Sequence, residues 1–132
     1  MLGYVTFGSD NMARARAFYD ALLGTLGATR LMEFPDDMGG FTLWGVGWDK
    51  PGIAVTNPHN KQPAVAGNGN MAAIVVDERA KVDALYAKAL ALGGTDEGGP
   101  GRRGDEGPSA FYAAYFRDPD GNKLCVFRTG PA

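Results

Sequence analysis

Slid against itself by 67 residues, the chain matches across its two halves without a gap. Tyr4 falls on Met71, Asp10 on Asp77, Phe18 on Leu85, Tyr19 on Tyr86, Leu23 on Leu90 and Gly27 on Gly94. One or two such matches would carry little weight. Here a strand residue, a helix-cap residue, an apolar stripe and a terminal glycine agree in one register, which marks an internal repeat. The chain is therefore expected to build one motif twice.

The motif reads the same way in each half. Residues 2–8 alternate as a strand, with Val5 and Phe7 on one side and Tyr4 and Thr6 on the other. Asp10 is a favourable N-cap for a helix running to Gly27, whose stripe is Ala15, Phe18, Tyr19, Leu22 and Leu26. Short strands over 29–34, 40–46 and 52–56 follow. Residues 57–68 contain Pro58 and Pro63, have no period, and read as a linker. The plan then restarts with a strand at 71–76, a cap at Asp77, and a helix over 80–94 carrying Val82, Leu85, Tyr86 and Ala89. A short strand near 95–97 and a glycine-rich loop over 98–107 lead to a closing hairpin.

That hairpin turns on Asp118-Pro119-Asp120-Gly121. Proline presets φ at the second turn position, aspartate bonds back to the backbone, and glycine accepts the left-handed conformation. A type I turn with a G1 bulge is expected, pairing Asp118 with Asn122 and Tyr115 with Cys125. Ala113, Tyr115, Cys125 and Phe127 then share one sheet face, and Ala114, Phe116, Leu124 and Val126 the other. Each half covers one sheet face with its own helix and leaves the other bare. Two such sheets, from one chain or two, are expected to pair around a pocket.

With 132 residues, 45% apolar and 21% charged, the chain is the size of one globular domain. The expected organisation is a single domain over 1–132, with a first module at 1–56, the linker at 57–68 and a second module at 69–128. A net charge of −2 gives no basic footprint, so nucleic acid is not an expected partner. No apolar run reaches the ~20 residues of a membrane span, and residues 2–7 lack the pattern of a signal peptide. The single cysteine fits a reducing compartment, so a cytoplasmic location is expected.

The helix carrying Arg16-Ala17-Phe18-Tyr19-Asp20-Ala21-Leu22-Leu23, together with the terminal Asp118-Pro119-Asp120-Gly121-Asn122, resembles the glyoxalase, bleomycin-resistance and extradiol-dioxygenase superfamily, the vicinal-oxygen-chelate proteins. The resemblance covers essentially the whole chain. It implies an α+β fold of two βαβββ modules, each a curved mixed sheet with one helix on its outer face, paired around a pocket, and assembly as a homodimer. Metal enzymes of that family place His, Gln or Glu ligands on the first and last strands of each module. The resemblance puts those positions at Tyr4, Met71, Cys125 and, across a four-residue gap, Ala54. Phenol, thioether and methyl are poor or absent donors, and one thiolate cannot hold a catalytic metal alone. Neither a metal nor another cofactor is expected.

The expected role is to bind a small, partly apolar molecule, with Tyr4, Met71, Tyr115 and Cys125 as pocket residues. Arg102, with Arg103 in the same glycine-hinged loop, is expected to meet an acidic group of the ligand. Tyr112 is a further hydroxyl beside Tyr115. Cys125 reads as a packed small side chain, against the sharper reading of a reactive thiol. Trp44 and Trp48 read as pocket wall or core. His59, the only histidine, reads as an exposed linker residue. The rival is a glyoxalase-like lyase, isomerase or dioxygenase with a differently placed metal site, for which Glu33, Glu97 and His59 are the remaining donors. An enzyme using Tyr or Cys chemistry without metal is a third possibility, and an interaction domain with a filled core a fourth.

Overall fold

A computed structural model describes residues 1–132. The chain divides into two compact units, Met1–Asn68 and Gly69–Ala132. The first runs β1 (Tyr4–Gly8), α1 (Met12–Gly24), β2 (Thr29–Glu33), β3 (Thr42–Gly45) and β4 (Gly52–Thr56). The second runs β5 (Ala72–Val75), α2 (Arg79–Ala91), β6 (Thr95–Arg103), β7 (Phe111–Arg117) and β8 (Lys123–Thr129). Each is a βαβββ module with a four-stranded mixed sheet, ordered β1-β4-β3-β2 in the first and β5-β8-β7-β6 in the second. β1 runs parallel to β4, and β5 to β8; the other pairs are antiparallel. The two helices begin and end 67 residues apart, which is the repeat seen in the sequence. No helix is long and apolar enough to cross a membrane.

In the first unit, α1 buries Ala15, Phe18, Tyr19, Leu22 and Leu23. Tyr19 packs 5.4 Å from the ring of Trp44 on β3, and the Trp44 indole N–H donates to Asp20 at 2.8 Å. Trp44 is therefore core, whereas Trp48 is exposed. In the second unit, Val82, Leu85 and Ala89 of α2 are buried, as are Ala114, Phe116, Leu124 and Val126 on the helix-covered sheet face. Each large apolar side chain so buried contributes about 1.5–3 kcal/mol.

Two helix starts differ from expectation. Asn11, not Asp10, caps α1: its side chain accepts from the Arg14 N–H at 3.0 Å. Ser9-Asp10-Asn11 offers three capping side chains in a row, and Asp10 is occupied by the Ala64 N–H of the connecting segment at 2.8 Å. Asp77 likewise does not cap α2; it pairs with Lys81 at 2.6 Å, one helical turn on. Glu78 takes the cap position without a side-chain bond.

The glycine-rich stretch expected as a loop is mostly strand. β6 continues to Arg103, pairing with β7 through backbone groups, with register shifts between Asp96 and Gly98 and between Gly98 and Gly101. Glycine gives no side-chain period, so the pattern of the sequence hid a strand that the β7 backbone specifies.

Candidate functional site

The hairpin of β7 and β8 has the expected register. The Asp118 N–H donates to the Asn122 carbonyl at 2.9 Å, Gly121 takes φ of 90°, and Tyr115 pairs with Cys125. The Asp118 carboxylate is buried and accepts from the backbone N–H of Asp120 and Asn122 and from the Asn122 amide, each at 2.9 Å. This fixes the hairpin, and with it which side chains share a face.

On the face away from α2, β7 contributes Phe111, Ala113 and Tyr115, β8 contributes Lys123, Cys125 and Phe127, and β5 contributes Ala73 and Val75. Phe111 and Phe127 stack at 5.3 Å. Ala113 and Cys125 are fully buried, while Val75 is 69% exposed. Met71, just before β5, is 44% exposed. Tyr115 and Cys125 are direct partners across the β7–β8 ladder. Burial, with a smaller contribution from Cys125, raises the Tyr115 pKa. Burial also raises that of Cys125, against the pull of Tyr115, Arg103 and Lys123. A buried thiol shifted this way stays protonated near neutral pH and is a poor nucleophile.

Two cations flank this aromatic ring. The Arg103 guanidinium carbon and the Lys123 Nζ each lie 5.5 Å from the Tyr115 ring centroid. Arg103 folds back along its own strand, donating to the carbonyls of Gly101 at 2.8 Å and Gly99 at 2.9 Å. Cβ atoms at Gly98 and Gly101 would come within 3.3 and 3.2 Å of that guanidinium. The glycines therefore give the arginine its path. Arg102, the residue singled out from the sequence, turns elsewhere: its Nε donates to the Gly104 carbonyl at 2.8 Å and its guanidinium lies 3.6 Å from Glu106. The signal that separates the two arginines is strand alternation, which a loop reading discards.

Tyr112 belongs to the other face. Its hydroxyl donates to Asp83 of α2 at 2.7 Å, and Arg79 lies over its ring at 5.1 Å. In the first unit, Tyr4 is 51% exposed and meets Phe41 edge-on at 5.8 Å. Ala54 pairs with Thr6 as Cys125 pairs with Ala73, and Thr6 and Ala73 correspond under the repeat. The four-residue gap thus puts Ala54 at the place equivalent to Cys125.

The residues at Tyr4, Ala54, Met71 and Cys125 do not fit a catalytic metal: they offer a phenol, a methyl, a thioether and a thiol held protonated. No three His, Cys, Asp or Glu side chains are grouped to hold an ion. Glu33 is engaged by Arg30 at 3.0 Å and Glu97 by Arg117, while His59 is exposed.

Comparison with known proteins agrees with the fold. Residues 1–126 match the family model of the Glyoxalase/Bleomycin resistance protein/Dioxygenase superfamily. A glyoxalase/bleomycin resistance protein from Albidiferax ferrireducens T118 is 36% identical, with 97% of this chain and 98% of that one covered and a TM-score of 0.78. A glyoxalase/bleomycin resistance protein/dioxygenase family enzyme from Burkholderia phytofirmans PsJN is 20% identical over 96% and 97% of the two chains, with a TM-score of 0.68. Lactoylglutathione lyase from Agrobacterium tumefaciens is 20% identical over 97% and 92%, with a TM-score of 0.65. No curated protein matches the chain.

Proposed function

The chain belongs to the Glyoxalase/Bleomycin resistance protein/Dioxygenase superfamily, and from that premise we propose that it binds a small, partly apolar molecule without a resident metal. The carrying observation is the sheet face of Tyr115 and Cys125. It joins aromatic and small apolar side chains to a few polar groups, the usual composition of a small-molecule site. Met71 and Val75 extend it as exposed apolar wall, and Tyr4 is assigned the matching position in the first unit. The chemistry of the donor set supports a role resting on burial and shape. Exposed apolar groups at a sheet edge also favour a second copy as cover, so the working form is proposed to be a cytoplasmic homodimer.

Metal analysis of the purified protein, followed by melting scans with Ni, Zn, Mn and Fe, tests the metal-free reading. Substoichiometric metal and an unmoved transition are expected. Stoichiometric metal with a raised melting temperature, as linkage requires of a native-state ligand, overturns it. Sedimentation equilibrium tests the dimer, with a monomer at micromolar concentration as the contrary result.

A further inference from the structure

Among the arginines and lysines of the second unit, Arg103 and Lys123 are distinctive. Arg79, Lys81, Arg102 and Arg117 each meet a carboxylate within 4.0 Å. Arg103 and Lys123 each lie 5.5 Å from the Tyr115 ring centroid, on the sheet face that also carries the Phe111–Phe127 stack, with Glu97 close enough to Lys123 to feel its charge. Arg103 is held by two neutral carbonyls, which orient the guanidinium without cancelling its charge and leave further N–H groups undirected. Glycines at 98 and 101 keep its path open, so its position is built into the strand.

We infer that Arg103 and Lys123 receive the carboxylate of a small aromatic acid whose apolar body lies against Tyr115, Phe111 and Phe127. This rests on the binding role proposed above and adds the charge of the ligand. A planar guanidinium matches a carboxylate edge, and the Lys123 ammonium, at the same distance from the Tyr115 ring, supplies a second point of attraction. Two cations suit a monoanion. A polyphosphate would call for a backbone-amide cradle of the Gly-Lys-Ser or Gly-Lys-Thr kind, which the sequence does not contain.

The test uses the full chain and three matched pairs: benzoate, 4-phenylbutyrate and indole-3-acetate, each against its primary amide, by calorimetry. The expected result is that at least one acid binds about tenfold more tightly than its amide, the scale of a charge-assisted contact. That ratio falls towards one in Arg103→Gln and in Lys123→Gln, and it shrinks with added NaCl. Lys88→Gln, which removes one positive charge from α2, keeps the ratio. Melting scans on each variant establish that it is folded. Acid and amide binding alike overturns the inference while leaving the binding role intact. A ratio lost in Arg102→Gln but kept in Arg103→Gln also overturns it. Failure of every acid and every amide to bind removes the binding role as well.

Discussion

Tyr115 and Cys125 stand opposite each other on β7 and β8, and each holds its proton more firmly than usual. Burial is the first cause for both. For Cys125, the phenol and the cations at Arg103 and Lys123 favour the thiolate without reversing that effect. Alkylation by iodoacetamide is therefore expected to be slow at neutral pH and to rise only above the thiol's ordinary value of 9.0. Tyr115→Phe removes the phenol that pulls the thiol's pKa down, so the profile moves to still higher pH. A midpoint below the ordinary value in the native protein would contradict this assignment.

Gly27 and Gly94 occupy one register of the repeat but do different work. Gly27 has φ of 82° with open space around it, and Gly27→Ala is expected to cost about 1 kcal/mol for the left-handed backbone. At Gly94 an added Cβ would lie 2.7 Å from the Arg117 carbonyl oxygen and 2.8 Å from that of Ala89. Neither backbone oxygen can swing aside, so Gly94→Ala is expected to cost about 2–3 kcal/mol by overpacking. Urea unfolding of the two variants decides it, and equal losses would refute the distinction.

The hairpin is legible because turn chemistry is local: proline, aspartate and glycine state their backbone angles in the sequence. The module plan is legible because it occurs twice. What cannot be read is set by distant partners. Asp10 loses its capping role to a backbone N–H 54 residues away. Arg103 is hidden in a run of glycines whose pairing depends on β7, and only once that strand is recognised does alternation put Arg102 and Arg103 on opposite faces. Arg16 enters the sequence reading only as part of the helix motif, and nothing near it in sequence announces its contacts.

Arg16 in fact ties α1 to the sheet and its connections. Its guanidinium donates to the Thr42 hydroxyl at 3.0 Å, the Gly40 carbonyl at 2.9 Å and Asp36 at 3.0 Å. Arg16→Ala is expected to lower stability by about 2 kcal/mol, chiefly through the partly buried contacts. Arg16→Lys should recover little of this, because one ammonium cannot reproduce the planar fork. Recovery of most of the loss by lysine, in denaturant titrations, would show that charge alone mattered.

The Asp20 carboxylate joins three elements in the first unit. It accepts from Arg30 at 2.9 and 2.7 Å and from the indole N–H of buried Trp44 at 2.8 Å. The Arg30 hydrogen bond is the main reason its pKa lies below the ordinary 3.8, with Trp44 adding to it and burial opposing it. A folded pKa below the unfolded one means that the stabilisation is complete above the ordinary value and is lost as pH falls through the folded one. The carboxylate is 44% exposed, so solvent screening keeps the ionic part small. Asp20→Asn retains an acceptor for Trp44 and should lose about 0.5 kcal/mol near neutral pH, together with part of the acid sensitivity. Asp20→Ala leaves the indole N–H without its acceptor and should lose about 1–3 kcal/mol. Urea midpoints from neutral pH down to about pH 2.5 separate the two contributions. A pH slope unchanged in Asp20→Asn would mean that another carboxylate carries the acid response. Equal losses in the two variants would mean that the indole contact contributes nothing.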